Sequence, residues 1–198
     1  AILVFAVNGQ VFPSLLAMLG GTSLQQGTLL ASLFLLFPVT AATAGHIADR
    51  IGKRLILFVG ALAMAVPFAL AAVFEALWVR TLVVLLFGIG GGMIEGQASA
   101  LLSDLHPGRE RRMIGLSQMF FSIGAAGSPF LIVLTFQVLP TATPRAFLWT
   151  AAAASGLLAV ALLLPRGAEL RRTAADPVSL PRLLRHKGWR RLAIMLFL

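Results

Sequence analysis

The sequence contains no cysteine, so disulfides and thiolate metal sites are excluded. Histidine is scarce, and His46, His106 and His186 lie far apart, which argues against a histidine metal cluster. No nucleophile–base pair, metal-ligand set or Gly-x-Ser-x-Gly turn is recognisable, so an enzyme embedded in a membrane is the least favoured reading and no cofactor is called for. Charge is short as well: 12% of residues are charged, against about a quarter in an ordinary soluble domain. No charged n-region or small-residue cleavage site is visible at the apolar start, so a signal peptide is not the expected reading of it.

What fills the space is apolar. Hydrophobic residues make up 59% of the chain and the mean hydropathy is +0.93. A water-soluble core cannot hide that much apolar surface in 198 residues, so the excess is expected to face lipid. A spanning helix needs roughly 20 mostly apolar residues. Six runs qualify, at about 1–19, 28–45, 55–74, 78–103, 113–138 and 146–164, and a seventh begins near Leu192. The chain starts and stops inside apolar runs, so both ends are expected to be truncations. The expected fold is all-α: a polytopic membrane bundle of six transmembrane helices over 1–165, a cytoplasmic linker over 166–191, and the first residues of a seventh helix over 192–198.

The net charge of +9 does not point to nucleic acid, because its distribution follows the connections between runs. Arg50, Lys53 and Arg54 stand between runs two and three, and Arg109, Arg111 and Arg112 between runs four and five. A further eight follow run six, leaving only Arg80 and Arg145 of the 16 basic residues on the opposite side. The positive-inside rule makes the rich side cytoplasmic, with the N-terminus and loops 2–3, 4–5 and 6–7. Trp78, Trp149 and Trp189 sit near run ends, as interfacial tryptophans do. The segment Ser179 to Arg185 reads either as a short amphipathic helix on the inner leaflet or as a solvated linker.

The polar residues inside the runs are the site candidates. Run four places Gly88, Gly92, Gly96 and Ala100 four apart on one face, the spacing for close helix approach. The Gly88-x-Gly90 start is not a dinucleotide fingerprint, since Met93 stands where the third glycine belongs. Glu95 lies about 22 Å from Arg80 and about 14 Å from Asp104 along a helix, close to mid-depth in a core about 30 Å thick. A carboxylate there must face water, pair with a cation or hold a proton, each compatible with coupling or substrate binding. Asn8, Gln10, Gln97 and Gln118 are further polar candidates, with helix-packing hydrogen bonds as the plainer alternative for each. Phe12, Phe120 and Phe121 are rings that can stack on a sugar, although most phenylalanines here are expected to face lipid or helix packing.

Between runs two and three stands Gly45-His46-Ile47-Ala48-Asp49-Arg50-Ile51-Gly52-Lys53-Arg54. It resembles the major facilitator signature Gly-x-x-x-Asp-Arg-x-Gly-Arg-Arg, matching at Gly45, Asp49, Arg50, Gly52 and Arg54 with Lys53 as a basic substitute. The resemblance covers nearly the whole chain. It implies the N-terminal half of a twelve-helix secondary transporter, built as two inverted three-helix repeats, with the solute site at mid-membrane between this half and a C-terminal six-helix half. In such proteins this loop latches the halves in one state, and Asp104 is a candidate partner for Arg50 or Arg54. Gly88 to Ser103 looks like the fourth span of fucose-permease-like sugar:proton symporters, although Ser99 replaces an Asn and Gly9 stands where an acid is common. Gly115, Gly124 and Ser128-Pro129 echo the antiporter pattern of the fifth span, but Ser128 replaces a Gly, no Gly pair follows, and Val84 stands where an arginine is common in the fourth span, which counts against an ordinary drug:proton antiporter. The leading expectation is therefore proton-coupled uptake of a small polar solute such as a sugar in a bacterial inner membrane, by alternating access. Drug or metabolite export is the alternative.

Overall fold

The computed structural model describes residues 1–16, 22–74, 76–139 and 143–164. The expected linker at 166–191, the truncated seventh helix at 192–198, Trp189 and the side chain of Phe12 lie outside the described residues. Among the described residues six helices follow in order: α1 (Ile2–Leu16), α2 (Ser23–Ile51), α3 (Lys53–Val73), α4 (Leu77–Leu105), α5 (Glu110–Val138) and α6 (Pro144–Leu163). Among the described residues α2 to α6 are long and apolar enough to cross a membrane, and α1 is described over 15 residues.

Local chemistry sets the helix ends. Thr22 caps α2 through a reciprocal exchange with Gln25, its side chain accepting from the Gln25 N–H while the Gln25 side chain accepts from the Thr22 N–H. Pro144 opens α6 at a position where its missing N–H costs nothing. Pro13, Pro38, Pro67 and Pro129 are carried inside helices, which packed neighbours permit. The connection expected over 45–54 is almost entirely helical instead. The last turns of α2 run through the charged residues to Ile51, and Gly52 alone separates α2 from α3. Apolar periodicity stops where the hydrocarbon ends, whereas the backbone hydrogen bonds continue into the polar zone.

Helix α4 is the hub. It packs against α2 and α3 along its length and also touches α1 and α5; α3 packs on α6, and α1 on α5 and α6. Its glycines make this possible on three sides. A methyl at Gly92 would stand 2.2 Å from Thr40 Oγ1 and 2.6 Å from the Phe37 carbonyl oxygen on α2. One at Gly90 would stand 2.6 Å from the Gly60 carbonyl oxygen on α3, and one at Gly91 would stand 2.6 Å from the Phe5 ring on α1. Thr40 Oγ1 also donates across to the Gly88 carbonyl at 3.2 Å. The expected small-residue face of run four is thus the α2-packing face.

The interior is apolar, with Phe68, Leu57, Met64, Ile94, Leu148 and Val83 fully buried. The outside is apolar too: Phe34, Leu35, Phe130 and Leu157 are each about 70% exposed. Such a surface is stable only against lipid or other apolar partners, and the chain is an integral membrane protein.

A buried polar staple joins α1 to α6. Asn8 Nδ2 on α1 donates to Ser155 Oγ at 2.6 Å and to the Ala151 carbonyl at 3.2 Å on α6. All of these groups are buried. Asn8→Ala is expected to cost about 1–2 kcal/mol by leaving Ser155 and the carbonyl without their donor. Thermal unfolding in detergent measures this, and an unchanged midpoint would contradict it.

Candidate functional site

On α4, Gly91 meets α1 and Gly92 meets α2. Glu95 follows Gly91 by four residues and Gly92 by three, so it lies on the strip between those two contacts. Ten residues of helix separate it from Leu105, about 15 Å of rise, which keeps it inside a hydrocarbon core about 30 Å thick. It is half-buried, and no hydrogen-bond or ion-pair partner for it exists among the described residues. An intramembrane carboxylate without an internal cation is tolerated where it meets water, a proton or a bound ligand.

One turn from Glu95, aromatic rings converge. Phe5 on α1 lies 5.7 Å from Phe37 on α2, 5.9 Å from Phe87 on α4 and 5.8 Å from Phe121 on α5, centroid to centroid. Phe37 and Phe121 are half-buried, Phe5 and Phe87 buried, so the cluster has a partly open side. Of these rings, Phe5 and Phe37 lie against Gly91, one turn from Glu95; a carboxylate and aromatic rings are together the groups that attract an organic cation.

The four amides separate. Asn8 is turned to α6, as described above. Gln97 is 3% exposed and sits against α2, its Nε2 3.7 Å from the place a Gly45 Cβ would occupy. Two residues apart on one helix, Glu95 and Gln97 face nearly opposite ways. Gln10 is half-buried and Gln118 exposed. Phe120 is 49% exposed. Glu95, Gln10 and Gln118 are therefore the candidates left accessible. Ser155, the partner of Asn8, carried no sequence signal, because one serine in an alanine-rich run has no distinguishing spacing.

The basic end of the bundle is organised by the signature residues. Gly52 has φ +101°, a conformation open to glycine and strained for other residues, and its N–H donates to the Ala48 carbonyl. Lys53 Nζ lies 2.5 Å from Asp104 Oδ2 at the end of α4. Lys53 opens α3 and Asp104 closes α4, so each charge opposes the dipole of its own helix and is compensated by the other. Arg54 donates through Nε to the Leu162 carbonyl at 2.5 Å and through Nη2 to the Leu164 carbonyl, capping the end of α6. Asp104 therefore pairs with Lys53, where Arg50 or Arg54 had been expected. Arg50 instead lies 3.3 Å from His46 Nε2, one turn back on α2. Asp49 is exposed and has no partner among the described residues.

Gly52→Ala separates conformation from space, because nothing lies within 4 Å of the added methyl. Its expected cost of about 1–2 kcal/mol comes from backbone strain alone. A fall in melting temperature without loss of the Lys53–Asp104 pair is the expected observation; an unchanged melting temperature would contradict it.

The sequence profile of the Major Facilitator Superfamily matches residues 1–198. The chain is also 40% identical over 82 residues to Multidrug resistance protein MdtH of Cronobacter sakazakii (strain ATCC BAA-894). That stretch is 41% of this chain and 20% of the relative.

Proposed function

Because this chain belongs to the major facilitator superfamily, whose members are transporters and not enzymes, we propose that it is the N-terminal half of a secondary transporter exporting a lipophilic small molecule in exchange for protons. The observation that carries this reading is Glu95, half-buried, without a partner among the described residues and one turn from Gly91, which packs against the Phe5 and Phe37 rings. One carboxylate neutralises one positive charge at a time. A proton arriving at Glu95 therefore expels a bound cation, and a departing proton readmits one. The similarity to a protein named for multidrug resistance supports the same direction.

Alternating access needs a site reached from each side in turn and a latch that holds one state. Glu95, Gln10 and Gln118 form this half of the site, and a C-terminal half supplies the remainder. The basic end faces the cytoplasm of a bacterial inner membrane, following the positive-inside rule. There Asp49, near the end of α2 with no described partner, meets a positive group of the other half when the latch closes. Gly45, Arg50, Gly52, Lys53, Arg54 and Asp104 hold that end in shape. The packing pattern supports two inverted three-helix repeats: exchanging α1 with α4, α2 with α5 and α3 with α6 maps the α2–α4 contact onto α5–α1 and the α3–α4 contact onto α6–α1.

Proton-coupled sugar uptake is the second reading, favoured by two amides, Gln10 and Gln118, that make no hydrogen bond among the described residues and are left accessible. Proteoliposomes with the full-length transporter and an imposed pH gradient separate the two. Uphill movement of ethidium against the proton flow supports export, and accumulation of L-fucose with the proton flow overturns it in favour of uptake.

A further inference from the structure

Hydroxyl side chains in these helices mostly bond back to their own backbone. On α5, Ser117 donates to the Ile114 carbonyl, Ser122 to Gln118 and Thr135 to Leu131. Ser128 does not. It is 3% exposed, and its Oγ is the buried side-chain polar atom without a partner among the described residues. The next residue is Pro129, which has no N–H to offer the Ala125 carbonyl one turn back. A buried hydroxyl and a carbonyl short of its helix donor thus occur within one turn of α5.

The facing helix brings a third group to the same level. A Cβ on Gly124 would meet Ala6 Cβ at 3.0 Å and the Leu3 carbonyl oxygen at 3.4 Å, which places Gly124 against the Leu3–Ala6 strip of α1. α1 runs antiparallel to α4, since Phe5 meets Gly91 while Gly9 meets Phe87. α5 reverses from α4 through the short turn at 106–109, so α1 and α5 are parallel. One turn on from this contact, Ser128 follows Gly124 and Gln10 follows Ala6, each by four residues. Gln10 is half-buried and has no hydrogen-bond partner among the described residues. Neither strip carries a charge: residues 2–16 of α1 and 113–138 of α5 contain no Asp, Glu, Lys or Arg.

We propose that Ser128 and Gln10 form an uncharged hydrogen-bonding subsite between α1 and α5 that receives a hydroxyl, carbonyl or amide group of the transported solute. The subsite rests on the reading of Glu95 as part of a water-reached solute site, and adds a specificity to it. Glu95 selects charge, while Ser128 and Gln10 select a neutral polar substituent on the same molecule. Left empty, an unpartnered hydroxyl is unfavourable, so a solute that satisfies it is discriminated from one that does not.

Thiols placed singly at positions 95, 118 and 128, in a full-length transporter made free of any other cysteine, test this with two methanethiosulfonate reagents. One carries a neutral hydroxyethyl group and the other a trimethylammonium. The Ser128→Cys protein is expected to react with the hydroxyethyl reagent and about tenfold more slowly with the cationic one, because an unpaired ion is costly in an uncharged site. The Gln118→Cys protein is expected to react with both. Silence at 128 with reaction at 95 and 118, or equal rates with both reagents at 128, overturns the subsite while leaving the Glu95 reading intact. Silence at both 95 and 128 overturns the Glu95 reading and the subsite with it. A parallel melting curve distinguishes a structural role: Ser128→Ala is expected to melt at or above the unmodified protein, and a clear fall would show that the hydroxyl holds the fold.

Discussion

Gly92→Ala is expected to remove most of the folded transporter from the membrane, whereas Gly96→Ala one turn further on leaves it intact. At Gly92 the new methyl would stand 2.2 Å from Thr40 Oγ1, 2.6 Å from the Phe37 carbonyl oxygen and 3.0 Å from the Ala41 nitrogen. Thr40 can rotate away only by giving up its bond to the Gly88 carbonyl, and the two backbone atoms can move only if α2 moves. Overpacking of this kind costs about 3 kcal/mol at the upper end of its usual range, roughly a hundredfold in the ratio of folded to unfolded protein. No hydrophobic drive between helices in lipid offsets it, so the loss falls directly on packing. At Gly96 the nearest atom is the Ala41 carbonyl oxygen at 3.5 Å, an ordinary contact. Size-exclusion profiles and melting curves of the two variants in detergent make the comparison. Equal behaviour would mean that α2 and α4 are further apart than described.

Glu95→Gln is expected to abolish gradient-driven transport by at least about tenfold while exchange of solute down its own gradient continues. Glutamine keeps the volume and most of the hydrogen-bonding capacity of the side chain and removes only its ability to change charge. On the proposed exchange of proton for cation, the variant has no group to trade them through, and the two gradients are expected to become independent. The fold is expected to be undisturbed or slightly firmer, since an intramembrane carboxylate without a described partner contributes nothing to packing and is costly when charged. A variant with full accumulation would remove Glu95 from coupling; one that fails to fold would reveal a structural partner.

The helices were legible in the sequence because a bilayer enforces a coarse rule: about 20 apolar residues, then a polar break. Their ends were less so. Gly45 to Ile51 looked like a connection because charge interrupts the apolar pattern, yet the backbone stays helical until Gly52, where φ reaches +101°. The α2-facing glycine strip of run four was readable from its four-residue spacing, whereas the contacts of Gly90 with α3 and Gly91 with α1 depend on which helices surround α4. The same limit applies to the polar candidates. Periodicity places Asn8, Gln10, Gln97 and Gln118 at membrane depth, but only the packing tells Asn8, bonded to Ala151 and Ser155, from Gln118, which is exposed. At the basic end, charge opposite charge implied a partner for Asp104. The choice of Lys53 follows from Lys53 opening α3 beside the end of α4, while Arg54 reaches the end of α6.

Proton release on solute binding tests the role of Glu95 most directly. Detergent-solubilised full-length transporter in weak buffer, mixed with ethidium near neutral pH, is expected to release up to about one proton per molecule. The Glu95→Gln protein, still folded, is expected to release none. Equal release from the two proteins would contradict the assignment of proton exchange to this carboxylate.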